Sequence, residues 1–306
     1  MKFADPTNDL AFKKIFGDEN HTEVLISLLN SILGFEGDDR ISSVTIANPY
    51  QVPRIKELKE TILDVNAENQ RGEKFIVEMQ NKDELNFDKR SVYYTSKAYV
   101  KQLKKGEDYN TLQKVYFVAF INFNMFESKN YISRHLILNQ ETMTQDLEGF
   151  EFAFIELNKF NTTLEELKTI LQKWVYFIKN ASDLTMVPKE FDSIDELKEA
   201  FKIANQGTWN QEELDVYEHI AFEEHAERYR MEAEYVKGEI KGREEGREEG
   251  REEGREEGRE EGREEGREEG HEDVATNMLK QQIDANIIAA CTGLSLEKIA
   301  ELKNRF

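Results

Sequence analysis

The sequence contains very little cysteine and no long apolar run. Cysteine occurs once, as Cys291, which excludes an intramolecular disulfide and a zinc site built from several cysteines. No window reaches the roughly 18 consecutive apolar residues of a membrane span. The N-terminal stretch, MKFADPTNDL, also lacks the apolar run of a secretory signal. These absences predict a cytoplasmic protein without membrane segments.

Positive charge is scarce as well, and it is unevenly distributed. The 306 residues carry a net charge of −21, which argues against broad, nonspecific coating of nucleic acid. Residues 82–105 are the exception, with seven basic residues against three acidic ones. The net charge of that segment, seven minus three, is therefore +4.

The apolar patterns predict an α/β domain over residues 1–160. Residues 114–123 form a nearly continuous apolar run, typical of a strand buried on both faces. The order of the patterns predicts a mixed central sheet flanked by helices. The predicted helices cover 9–17, 21–33 and 87–105, and the predicted strands cover 41–46, 60–69, 73–81, 114–123, 132–139 and 151–157.

Three further segments follow the α/β domain: an all-helical region over 161–237, a repeat over 238–270, and a helical unit over 271–306. The repeat reads GREE seven times, and each glycine costs a helix roughly 1 kcal/mol relative to alanine. It is either a solvated charged spacer or a helix stabilised by self-association. The last unit either mimics a helix-turn-helix or serves dimerisation. We predict a homo-oligomer, a dimer, formed through this C-terminal region.

A hairpin within residues 62–80 places two acids opposite each other. The turn lies at 69–72, where Gly72 adopts a positive φ at little cost. A register centred on Arg71 gives each strand one apolar face and places Asp64, Glu78 and Gln80 together on the other face. Like charges directly opposite on a sheet repel each other. The acids are either solvated on a polar face or held together by a cation.

The helix predicted after this hairpin carries a basic stripe. Its members can neutralise phosphates or stack on bases, although a solvated helix face is the simpler interpretation. Beside the acid pair, the stripe predicts a phosphodiester-binding site. The stripe consists of Arg90, Tyr94, Lys97, Lys101 and Lys104.

These motifs together resemble a known family. Asp64 on one strand and Glu78-Met79-Gln80 on the next resemble the PD-(D/E)XK nuclease signature. The ordered segments DLAFKKIFG, ILDVNAEN, FIVEMQ, GEDYNTLQKVYFVAF and the EEGREEG tail resemble the Rpn recombination-promoting nucleases, also described as PD-(D/E)XK nuclease family transposases. The resemblance covers about residues 1–160, and the tail resembles the family only in its repeated, charge-rich composition.

The resemblance implies a restriction-endonuclease-like core and Mg²⁺-dependent cleavage of DNA, with Mn²⁺ as the alternative ion. It implies that Asp64 and Glu78 bind the metal, with the main-chain carbonyl of Met79 as a further ligand. Gln80 takes the place of the signature lysine, and its amide can orient a water but supplies no charge. We expect Lys74 or Lys97 to supply that charge.

The N-terminal motif contains a further acid, and the signature is loose at one point. No proline precedes Asp64. Asp9 is either an acid behind the metal ligands or a helix N-cap, and we favour the N-cap. The leading hypothesis is a metal-dependent DNA endonuclease that promotes recombination or acts in mobile-element or defence biology. The alternative is a non-catalytic DNA-binding or assembly protein on a residual nuclease fold, acting through its repeat tail.

Overall fold

The fold is described from a computed structural model of the chain. Two compact units are present, Met1–His225 and Ala226–Phe306. The residues described are 1–47, 50–51, 61–62, 64–83 and 86–305.

Two helix boundaries are set by residues suited to those positions. The Asn8 side chain accepts the main-chain N–H groups of Leu10 and Ala11 and so caps the first helix. Gly34, with φ +69°, ends the second. The α-helices of the described residues are α1 Asp9–Phe16, α2 Thr22–Leu33, α3 Phe87–Lys101, α4 Ile170–Asn180, α5 Asp195–Ala204, α6 Gln211–Lys280, α7 Ala285–Thr292 and α8 Leu296–Lys303.

Within the described residues, six strands form one mixed sheet in the order β1-β4-β5-β6-β8-β7, and β2 pairs with β3 separately. The sheet is antiparallel at both ends and parallel across β5, β6 and β8. The strands are β1 Val44–Ala47, β2 Tyr50–Gln51, β3 Thr61–Ile62, β4 Val65–Asn69, β5 Lys74–Gln80, β6 Val115–Ile121, β7 Ile132–Leu136 and β8 Phe150–Glu156.

The predicted hairpin register is confirmed. Val65 pairs with Val77, and Ala67 pairs with Phe75. Gly72 closes the turn with φ +80°. Leu63, which the prediction placed opposite Met79, lies outside the described residues.

Helices cover both faces of the sheet. On one face, the strands pack against α1, α2, α4 and α5 through a large aromatic core that includes Phe12, Phe120 and Trp174. On the other face, Phe117 and neighbouring strand residues pack against α3 through Phe87. The mixed sheet flanked by helices confirms the predicted restriction-endonuclease-like α/β fold.

The helical region after residue 160 contributes to the first of these cores. Phe177 of α4 and Phe201 of α5 are fully buried, and their ring centroids lie 4.7 Å apart. Within the region predicted to be helical, the first α-helix begins at Ile170, where the Thr169 side chain caps it. The division of the chain at residue 160 stays a prediction.

Helix α3 is shorter than predicted, so the expectation that it continues to residue 105 is wrong. The Gln102 side chain exchanges two hydrogen bonds with the main chain of Gln113, at 2.9 and 2.8 Å. The Glu107 carboxylate accepts the main-chain N–H of Lys104 at 2.5 Å. The Glu107 contact takes up the main-chain N–H that would otherwise continue the helix, and Lys104 therefore lies beyond the helix.

The second unit contains the repeat and a small core. The GREE residues are helical and exposed, as part of α6. After them, Ala275 of α6 packs with Ile288 of α7 and with Ile299 and Leu302 of α8. The Ser295 side chain caps α8. Every helix within the described ranges is too short or too polar to serve as a membrane-spanning segment.

Candidate metal and active site

The hairpin brings the two acids together through reciprocal contacts with the main chain. Asp64 lies in a bend immediately before β4, and its Oδ2 accepts the N–H of Met79 at 2.8 Å. The main-chain N–H of Asp64 in turn donates to the Glu78 carboxylate. Asp64 has therefore left the regular ladder, but the predicted opposition of the two side chains is retained.

Glu78 is buried and Asp64 is largely shielded from solvent, and this changes the acidity of both. Burial raises the pKa of Glu78 well above its ordinary value, and the Asp64 charge raises it further. Burial likewise raises the pKa of Asp64 to about 6, opposed by the Met79 N–H and by Lys13. Glu78 is 6% exposed, and its Oε1 has no hydrogen-bond partner among the described residues. A buried carboxylate oxygen without a partner is costly, and a bound cation would remove that cost.

Helix α1 contributes a second acid and a lysine to this site. Lys13 Nζ lies 2.7 Å from Asp9 Oδ1 and 3.4 Å from Asp64 Oδ1. Burial lowers the pKa of Lys13, but the Asp9 and Asp64 carboxylates raise it more, and its pKa lies above the ordinary value. Lys13 is therefore a cation at neutral pH, in contact with one of the two predicted metal ligands.

Two predictions about charge at the site are corrected by these contacts. Lys74 does not supply the missing charge, because it lies at the start of β5 and pairs with Glu68. Asp9 is not the N-cap, because Asn8 fills that position. The favoured interpretation of Asp9 was therefore wrong, and its side chain lies at the acid pair. The i,i+4 spacing of Asp9 and Lys13 signals their pairing, but nothing in the sequence signals that Asp64 lies beside them.

Gln80 is held in a fixed orientation. Its Oε1 accepts Arg90 Nη2 at 2.6 Å, and its Nε2 donates to the Lys82 carbonyl at 3.0 Å. The Arg90 guanidinium also lies 5.0 Å from the centroid of the Phe87 ring. The amide oxygen has a second lone pair and the nitrogen a second hydrogen, so this amide can also hydrogen-bond a water.

The basic stripe on α3 starts at this site. Arg90, Tyr94, Lys97 and Lys101 lie on α3 at the predicted spacing, whereas Lys104 lies beyond its end. Arg90 contributes positive charge that lowers the pKa of Glu78, so the stripe begins beside the acid pair. The Arg90 guanidinium lies 5.9 Å from the Tyr94 ring centroid. The assignment of these residues to DNA binding stays a prediction.

The donor set at the acid pair suits a hard divalent cation. Carboxylate oxygens are the ligands that Mg²⁺ and Mn²⁺ prefer, and the unpartnered Glu78 Oε1 is available as one of them. Among the described residues, no group of three or more His, Cys, Asp or Glu side chains is arranged to hold a metal. Mg²⁺ commonly binds through only one or two carboxylates and keeps several waters, and Asp64 and Glu78 fit that pattern.

A mixed sheet with helices on both faces, with one acid just before β4 and the other within β5, is the arrangement of a restriction-endonuclease-like α/β protein. A family model described as PD-(D/E)XK nuclease family transposase matches residues 6–234, and the chain belongs to this family. No curated protein and no solved structure matches the chain. The family match extends past residue 160 and confirms the resemblance to PD-(D/E)XK nucleases, which generally use divalent metals.

Proposed function

We propose that the chain is a metal-dependent DNA endonuclease that hydrolyses phosphodiester bonds with Mg²⁺ or Mn²⁺. The observation that carries this proposal is the adjacent carboxylates of Asp64, which is 15% exposed, and of buried Glu78, one oxygen of which has no partner among the described residues. Two like charges in a low-dielectric site, next to a cationic lysine and an arginine, suit a metal ion and a phosphate together.

Each residue of the site has a role in this proposal. Asp64 and Glu78 hold the ion through their carboxylates. The ion, when bound, acidifies the attacking water and offsets charge on the phosphate. Gln80 orients that water through its amide, and Arg90 fixes the amide through the 2.6 Å hydrogen bond. The water oxygen loses a proton to solvent and bonds to phosphorus, the bond from phosphorus to the leaving oxygen breaks, and the leaving oxygen takes up a proton from solvent.

DNA is the proposed substrate, bound by the basic stripe on α3. Arg90 lies next to Gln80, and Lys101 is exposed at the last residue of the helix. A backbone bound along this face would pass the acid pair. Because the family description names transposases, we extend the proposal to a role in DNA recombination.

Plasmid cleavage tests the proposal. Supercoiled plasmid is incubated with the full chain in Mg²⁺, Mn²⁺ or EDTA, and with the variants Asp64→Asn and Glu78→Gln. Glu68→Gln is the matched control, because Glu68 lies on the same hairpin and pairs with Lys74 outside the site. Nicking or linearisation that requires metal and is lost in both site variants, but not in the control, supports the proposal. Equal cleavage by all four proteins contradicts it.

A second candidate function rests on the C-terminal unit, which has its own core. In that case the chain binds DNA or assembles through residues 238–306, and the nuclease fold is only a scaffold. Deleting residues 238–306 separates the two functions. Metal-dependent cleavage that survives the deletion favours the endonuclease, and DNA binding that is lost with the deletion, in a chain that never cleaves, favours the second candidate.

A further inference from the structure

Lys13 brings an ammonium group to the acid pair from the helical layer on the far side of the sheet from α3. Its Nζ lies 3.4 Å from Asp64 Oδ1, and its side chain is 35% exposed. The carboxylates of Asp9 and Asp64 therefore hold the ammonium in place, and the side chain is still partly accessible to solvent. A group that reaches the site from solvent can therefore contact this cation.

The site lacks the charge that the signature lysine would supply at position 80, where phosphodiester chemistry benefits from a cation. Residue 80 is a neutral glutamine, and its amide is already tied to Arg90 and to the Lys82 carbonyl. Negative charge increases on the phosphate oxygens during the reaction, and a preorganised cation stabilises that charge far more than solvent does.

We propose that Lys13 is a catalytic residue that contacts the scissile phosphate, and that it replaces from α1 the lysine that position 80 lacks. Asp9 is the positioning residue, because its carboxylate holds the ammonium at 2.7 Å. This inference rests on the proposed endonuclease function. It adds a residue that neither strand of the acid pair contains.

The neighbouring lysine provides a matched control. Lys14 has the same chemistry and lies on the same helix, but its ammonium pairs with Glu213 and lies 5.5 Å from the centroid of the Trp209 ring. Replacing it removes the same charge from the protein without touching the acid pair. An effect that is specific to Lys13 therefore cannot arise from net charge or from helix propensity.

The test compares the full chain with the variants Lys13→Met, Lys13→Cys and Lys14→Met. Plasmid cleavage in Mg²⁺ gives kcat. Fluorescence anisotropy of a labelled DNA duplex in Ca²⁺ gives duplex affinity, and the thermal shift in Mn²⁺ reports metal binding. Lys13→Cys is also treated with 2-bromoethylamine, which restores an ammonium on a side chain of similar length. Wild-type protein treated in the same way controls for the exposed Cys291.

We expect kcat of Lys13→Met to fall by about 10²- to 10³-fold, the loss typical of removing one electrostatic stabiliser. Duplex affinity should stay within about threefold of the wild-type value. The thermal shift in Mn²⁺ should stay within about one degree of the wild-type shift, because Lys13 is not a metal ligand. Aminoethylation of Lys13→Cys should recover at least roughly a tenth of wild-type kcat, because it restores the stabilising charge. Lys14→Met should cleave at the wild-type rate.

Three outcomes overturn the inference. They are cleavage by Lys13→Met at the wild-type rate, a loss confined to duplex affinity, and a Lys13→Cys variant that aminoethylation does not rescue. Wild-type cleavage that is lost in Glu78→Gln but not in Lys13→Met overturns this inference alone. Absence of any cleavage that depends on Glu78 overturns the proposed function and this inference together.

Discussion

Replacing Asp64 with asparagine should stabilise the metal-free protein at neutral pH. Burial is the main cause that raises the pKa of Asp64 from 3.8 to about 6. The folded state therefore binds this proton more tightly than the unfolded chain does. As pH rises from below 4 to above 6, ionisation of Asp64 progressively lowers the free energy of unfolding, and the full penalty is present above the folded pKa.

The size of the effect follows from the pKa change. One pKa unit corresponds to 1.36 kcal/mol, so a rise from 3.8 to about 6 corresponds to about 3 kcal/mol at pH 8. The Asp64 side chain is only 15% exposed, so solvent screens little of this. Asparagine keeps an oxygen for the Met79 N–H, so the replacement removes charge without opening a cavity. In a unit of this size, about 3 kcal/mol raises the melting temperature by roughly 6–12 °C.

Thermal unfolding in EDTA at pH 8 and at pH 4 measures this. Asp64→Asn should melt well above wild type at pH 8, and the gain should shrink below about 1 kcal/mol at pH 4. Glu68→Gln, which changes an exposed pair on the same hairpin, should show no such gain. A lower melting temperature at pH 8, or the same gain at both pH values, would refute the electrostatic account of the acid pair.

Three further predictions concern the stripe, the repeat and the tail. Lys101→Met should weaken duplex binding and reduce the slope of log K against log salt by about 1, measured by anisotropy; an unchanged slope would remove Lys101 from the interface. Gly254→Ala with Gly258→Ala should stabilise the helix of a peptide covering 238–270 by roughly 1 kcal/mol for each replacement, because open space surrounds both glycines. Circular dichroism should show the higher helicity. Lower helicity would instead indicate glycine-mediated close packing. Deleting residues 238–306 should convert the predicted dimer into a monomer by analytical ultracentrifugation, and a dimer that persists would place the interface elsewhere.

Local patterns predicted the hairpin well. Its register follows from two strands whose apolar residues alternate in step and from a turn that favours glycine, and both signals lie within the segment itself. The pairs from Val65 with Val77 to Glu68 with Lys74 appear as predicted. The buried strand β6 was equally clear, because a continuous apolar run has few other uses in a chain of this polarity.

The features that the sequence did not reveal depend on contacts between distant segments. Helix α3 ends where the Glu107 carboxylate takes up the Lys104 N–H and where Gln102 bonds to Gln113 across a loop, and the periodicity of the helix does not contain that information. Lys13 reaches the acid pair only because α1 docks where β4 begins. The same docking brings Asp9 to Asp64. The positive charge at the acid pair therefore comes from Lys13 and not from Lys74, which was predicted because it lies close to Glu78 in the sequence.

The central claim is that Asp64 and Glu78 together hold a catalytic divalent cation. Anomalous diffraction at the manganese edge, from crystals of the full chain grown with Mn²⁺, tests it most directly. We expect an anomalous peak from a manganese ion bonded to one carboxylate oxygen of Asp64 and to Oε1 of Glu78, the buried oxygen that has no partner among the described residues. Crystals with Mn²⁺ bound elsewhere and none between these two carboxylates would contradict it.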